Sequence, residues 1–193
     1  MIAAQGMADA PAHVNTDTRA HAPAARAHAR RGQRAATAAR LMARSPQSAA
    51  ALDWALLDAM PEWLAWPDAD AARHQCQVGA LLCAPVLRLW IDAPRLAAAK
   101  AAVGAPFLHT LLALPGTQIL PLDAAPCPRM DAADQVAPML RTAGIEVLLA
   151  ALPVGPLRRA VAALMAPAAA SQMASALAQS LAARAAALAR EAA

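Results

Sequence analysis

His74 and Cys76, in the stretch RHQCQVGALLC, come nearest by residue type to a metal site. Two positions apart on a helix they point to opposite sides, and no CxxC or HxxxH pair completes a ligand set. Cys76 and Cys83 share a helical face, yet a seven-residue spacing sets them about 10 Å apart along the axis, too far for a disulfide. Cys127 lies between Pro126 and Pro128 in a loop, with no partner in sequence. Buried thiols and no metal are expected.

The groups that could move protons or attack a carbonyl are just as scattered. His13, His21 and His28 lie near the amino terminus, and His74 and His109 stand without a paired nucleophile. Asp53 and Asp58 are five apart and diverge; Asp68, Asp92 and Asp131 stand where helix caps belong; Glu62 and Glu146 lack an obvious partner for acid–base work. The seven glycines form neither a GxGxxG nor a GxxxxGK[ST] phosphate loop, and there is no GxSxG elbow. No catalytic residue and no cofactor is expected, and the chain reads as a non-enzyme.

Aromatic residues are the scarcest large side chains, and two of the four tryptophans fall in MPEWLAWPDAD, residues 60–70, in a chain with one phenylalanine and no tyrosine. Trp63 and Trp66, three apart between Pro61 and Pro67, make a proline-braced corner. Tryptophan fills the core of small helical domains and also anchors interfaces, so both rings are candidate partner-binding residues, with core packing favoured for the pair.

The elements around this corner read as helices parted by proline and glycine. Ser48 is placed to cap SPQSAAALDWALLDAM, and DADAARHQCQVGALLCAPVLRLWI starts on Asp68 or Asp70. Along it Val78, Leu81, Leu82, Pro85, Val86, Leu89 and Trp90 recur at helical spacing, a stripe that predicts core, with a kink at Pro85. In DAPRLAAAKAAVG, Asp92 is placed to cap, Pro94 lies in the first turn, and Gly104 can take the left-handed closing conformation. A short helix APFLHTLLAL, a proline-rich loop over residues 115–128, the helix DAADQVAPMLRTAGIEVLLAAL, another from Pro156 to Met165 and an alanine-rich one from about Ala168 complete the chain. The expected fold class is all-α.

With 193 residues there is room for one domain with a real core and a tail. Residues 1–47 form a basic alanine- and arginine-rich leader, expected to be disordered or partly helical; residues 48–166 form the helical core domain; residues 167–193 form the terminal alanine-rich helix. Residues 1–48 hold seven arginines against Asp9 and Asp17, a charge of +5, and the remainder holds ten basic and eleven acidic residues, a charge of −1, which together make the net +4. An arginine-rich leader could touch nucleic acid, but no aromatic is interleaved with it, and specific binding is not expected. Sixteen arginines against one lysine fit a GC-rich codon bias. The most apolar run, VGALLCAPVLRLWI, spans fourteen residues with Arg88 inside it, where a membrane helix needs about 20. The amino terminus lacks a charged region leading into an apolar one, and a cytosolic location is expected.

In the last helix Met173, Leu177, Leu181 and Leu188 make a seam flanked by alanine, which favours helix but offers little to bury. Either this seam docks on the domain or it waits for another helix, so Leu177, Leu181 and Leu188 join the candidate partner-binding residues. Deleting residues 168–193 is expected to leave a folded domain with weaker association.

The run from Pro61 and Trp63 through GALLCAPVLRLWIDAPRLAAAKAAVG to Gly104 resembles the accessory cytosolic K protein of bacterial type III secretion systems, the SctK, YscK, OrgA and MxiK family, in its plant-pathogen-type version. The matching features are the small-apolar stretch into Leu82 and Pro85, then Leu87 and Arg88, then Ile91 and Asp92, then a helix closing on Gly104. The later LRTAGIEVLLAALPVGPLRRAVAALM is similar to the family's carboxy-terminal helices, and the likeness covers roughly residues 50–166. The leader and the last helix depart from the family pattern. The resemblance implies a non-catalytic adaptor of the sorting platform at the cytoplasmic face of the inner membrane. It would join the cytoplasmic domain of an inner-membrane ring protein to the Q-type pod protein, with the L-type stator and the ATPase beyond. The rival reading is a nucleic-acid-associated helical protein that uses the arginine-rich leader.

Overall fold

The computed structural model describes residues 31–40, 42–43, 54–121, 127–165 and 173–192. Among these the chain is all-α, without strands. Residues 31–40 form α1. The helices that follow are α2 (Trp54–Asp58), α3 (Asp68–Leu82), α4 (Ala84–Leu87), α5 (Ala93–Val103), α6 (Ala105–Ala113), α7 (Ala133–Ala151), α8 (Pro156–Met165) and α9 (Ser175–Glu191). Short 3-10 turns span Glu62–Ala65 and Gly116–Gln118. Ser48 and Asp53 and the start of the expected terminal helix near Ala168 lie outside the described residues.

The domain is organised around the crossing of α3 and α7, with α9, α5 and α6 packed about it. Val78, Leu81 and Leu82 of α3 are closed off from water with Val136, Leu140 and Val147 of α7. Phe107 and Leu111 of α6 and Val103 of α5 join the same cluster. Burial of each such side chain contributes about 1.5–3 kcal/mol, so this cluster is the main source of stability.

Proline sets the helix boundaries. α3 stops at Leu82, one residue short of a continuous rod, and α4 begins at Ala84 with Pro85 in its first turn. Pro85 has no N–H to give the Leu81 carbonyl, so that rung is missing, while the helical bonds on either side persist, from the Cys83 N–H to the Gly79 carbonyl and from the Leu87 N–H to the Cys83 carbonyl, each at 2.9 Å. The helix is interrupted at Cys83, next to the expected kink, and the stripe is kept only in part beyond it, with Trp90 buried. Val78, Leu81 and Leu82 stay in the core, whereas Leu89 emerges 65 % exposed.

Asp92 caps α5 as its position predicts, its side chain accepting from the Arg95 N–H at 2.9 Å. Asp68 does not cap α3; Pro67 holds that position and Asp68 is the first helical residue. Asp131 is not a side-chain cap either, since Ala132 precedes α7, but the Asp131 N–H donates to the Gln135 side chain at 3.1 Å. Gly104 closes α5 at φ 93°, ψ 143°, positive in φ but extended in ψ, and turns the chain by 113° into α6. That dihedral region is essentially restricted to glycine.

α1 lies against the domain. Thr37 is buried, Arg34 pairs with Asp58, and Arg40 donates to the Leu64 carbonyl at 2.6 Å and faces Asp68 at 3.5 Å. These ion pairs are solvent-exposed and contribute at most about 1 kcal/mol each. Two of the arginines that make the leader basic are thus engaged within the chain.

Candidate functional site

The two sets of candidate partner-binding residues and one further exposed corner differ in what they present to water. In the proline-braced corner, Pro61 leads into the Glu62–Ala65 turn and Pro67 into α3, which fixes the turn between two rigid φ angles. Trp63 is 7 % exposed and belongs to the core cluster, while Trp66 is 38 % exposed. Both rings rest on His74 of α3, Trp66 edge-on with centroids 5.2 Å apart and Trp63 tilted at 6.5 Å. Burial in this aromatic setting lowers the His74 pKa and keeps the imidazole neutral.

The terminal seam faces inward. Leu181 and Leu188 are buried with Ala178 and Ala185, and Leu177 is half-buried, all packed on the core. The α9 helix is also held by polar bonds. Arg158 donates to the Ala150 carbonyl at 2.9 Å and to the Leu152 carbonyl, which satisfies the carboxyl-terminal end of α7, and reaches Ser175 of α9 at 3.2 Å. Gln179 donates to the Ala151 carbonyl at 3.1 Å. A partner helix could reach Leu181 or Leu188 only by displacing α9 from its own domain.

The third group is the corner between α4 and α5, where Leu89 is 65 % and Ile91 97 % exposed. This corner is firmly held. Arg88 donates to the Leu114 carbonyl at 3.1 Å, at the end of α6. Trp90 points inward and is capped by the Arg95 guanidinium 4.8 Å above its ring. Arg95 also holds the Asp92 carboxylate at 2.5 Å and the Met130 carbonyl at 3.0 Å. The Arg95 N–H, with its guanidinium, holds the Asp92 carboxyl below the usual carboxylate range. Two aliphatic side chains therefore project from a corner whose flanking arginines are tied to two other parts of the domain, the Leu114 and Met130 carbonyls. The corner lies beyond the carboxyl-terminal end of α3 and Trp66 lies before its start, so these two are separated by the helix, about 22 Å long; Met42 and Val154 are exposed elsewhere.

Sequence spacing places Leu89 in the core stripe and misses this surface. The signal is present nonetheless: Pro85 and Pro94 each open a helix, and the short link between them carries two large aliphatic residues.

The thiols pair differently from their sequence spacing. Cys76 sits alone and buried, donating to the Ala137 carbonyl at 3.7 Å, and burial raises its pKa. Cys83 meets Cys127 from the distant loop. Its hydrogen bond to Cys127, and then its own burial, push the Cys83 thiol far up, and the same bond draws Cys127 down. Among the described residues no three His, Cys, Asp or Glu side chains gather as a metal site. No single described helix is long and apolar enough to cross a membrane. No protein-family model, curated protein or solved structure matches the chain.

Proposed function

We propose that this chain is a non-catalytic adaptor of the type III secretion sorting platform, needed for protein secretion. It joins the cytoplasmic domain of an inner-membrane ring protein to the Q-type pod protein and, through it, to the L-type stator and the ATPase. It acts at the cytoplasmic face of the inner membrane and reaches the membrane only through its partners. The observation that carries the reading is the display of Leu89 and Ile91 on a pinned corner. An aliphatic pair held in advance loses little conformational entropy on docking, which is what a fixed joint between larger assemblies requires. Ile91 and its neighbours Leu87, Arg88 and Asp92 are also among the residues on which the resemblance rests. The test is affinity capture with the tagged full chain from a secretion-competent strain. Recovery of the ring and pod proteins supports the adaptor, and recovery of no apparatus component rejects it.

A further inference from the structure

A cavity of about 280 Å³ lies beneath α1, walled by the Glu62–Ala65 turn, α3, α7 and α8. Its apolar side includes Trp63, Leu64 and Leu164, and its polar groups are Thr37, Arg40, Asp68, Gln75 and Arg141. The polar groups are arranged as a receptor would be. Gln75, 1 % exposed, donates to the Met165 sulfur at 3.4 Å and accepts from Nε of Arg141 at 2.9 Å. A fixed, buried amide thus orients the Arg141 side chain through its Nε, while Arg141 itself is exposed. Thr37 is 1 % exposed and its hydroxyl has no partner among the described residues, an arrangement that costs about 1–3 kcal/mol. Arg40 and Arg141 against Asp68 leave the cavity with one net positive charge.

We propose that this cavity binds a small amphipathic monocarboxylate. One carboxylate neutralises the surplus charge, where a phosphate dianion would overshoot it, and the planar guanidinium of Arg141 matches a carboxylate's two oxygens. The body of the acid lies against Trp63, Leu64 and Leu164. The volume sits just under the roughly 300–1,000 Å³ of typical ligand sites, so the acid is short. Thr37 and Arg40 belong to α1 and the other groups to the domain, so a bound acid bridges the two. The Thr37 oxygen is shut from water, and a small resettling of α1 around the ligand gives it the partner it lacks. This inference does not rest on the adaptor reading.

Octanoate titrated into the full chain, with 1-octanol as the uncharged control, tests it through tryptophan fluorescence and calorimetry. Octanoate is expected to bind one to one and about tenfold more tightly than octanol, and Arg141→Gln to weaken it about tenfold. Thr37→Val should weaken octanoate severalfold while raising the melting temperature of the free protein, because it replaces an unsatisfied buried hydroxyl by a methyl group. Amide exchange over residues 31–40 should slow when octanoate is bound. Equal affinity for octanol, no saturable binding of octanoate, or binding unchanged in both variants would overturn the proposal.

Discussion

Gly79 and Gly144 meet where α3 crosses α7, each set so close to the opposite backbone that no side chain fits between. A Cβ on Gly79 would lie 1.9 Å from the Leu140 carbonyl oxygen, and one on Gly144 would lie 1.8 Å from that of Gln75. Alanine in place of glycine in a helix ordinarily stabilises by about 0.8–1 kcal/mol. Here the sign should reverse, because the obstacle is backbone and cannot swing aside. Gly79→Ala and Gly144→Ala are each expected to destabilise by about 3 kcal/mol, the upper part of the overpacking range, in urea melts. A stabilised variant would mean that the helices cross elsewhere.

The two tryptophans of the proline-braced corner should separate cleanly. Trp63→Ala removes a core ring and is expected to cost about 3–5 kcal/mol. Trp66→Ala removes a half-exposed ring that rests on His74, and its melting temperature should fall far less. Equal losses would show that both rings are core.

Part of this fold is legible in the sequence because prolines, and one of the expected caps, mark where helices begin. Pro156 opens α8 where its position predicts, Asp92 caps α5, and Gly104 ends it. Long-range consequences are less legible. A helical period extrapolated through Pro85 puts Leu89 in the core, since periodicity does not register that the helix ends at Leu87, two residues before it. Likewise Cys127 looks solitary because its neighbour Cys83 lies 44 positions earlier, a proximity created by packing alone. The Gly79–Gly144 crossing is equally silent, because two isolated glycines mean nothing until the helices that carry them touch.

The docking of α9 changes the expected outcome of truncation. Deleting residues 168–193 uncovers the core that Ala178, Leu181, Ala185 and Leu188 close. The truncated chain should lose its cooperative melt rather than remain folded. The point variant Leu181→Ala should cost about 2–5 kcal/mol, as other buried leucines do. A truncated domain that melts like the parent would make α9 an independent element.

His74 makes the domain acid-sensitive, with a definite sign. Its folded pKa is lowered from 6.5 by burial, so below pH 6.5 the unfolded chain binds the proton more readily than the folded one. The stability that neutral His74 allows is present above that pH and is lost as pH falls toward the depressed folded value. Chemical melts between pH 7.5 and 5, compared with those of His74→Gln, check this. The parent should lose stability more steeply than the variant, and parallel curves would exclude His74 as the cause.

Unequal burial and their proximity set the reactivity of Cys83 and of Cys127, whose thiol donates to the Pro128 carbonyl at 3.5 Å. Cys127 is drawn toward thiolate and is half-exposed, while Cys83 is buried and held protonated. Iodoacetamide at neutral pH should label Cys127 first, with Cys83 and Cys76 following only on unfolding. Mass spectrometry of the labelled chain reads the order, and earlier labelling of Cys83 would contradict it.

The adaptor account turns on Leu89 and Ile91, and the most direct measurement is the affinity of the full chain for the purified ring-protein cytoplasmic domain and pod protein, before and after Leu89→Ser with Ile91→Asp. Both side chains project into water, so the double variant should melt with the parent. Its binding to one of the two partners should weaken by about a hundredfold, as loss of a central apolar anchor does. Unchanged affinity for both partners, in a variant that remains folded, would contradict the account.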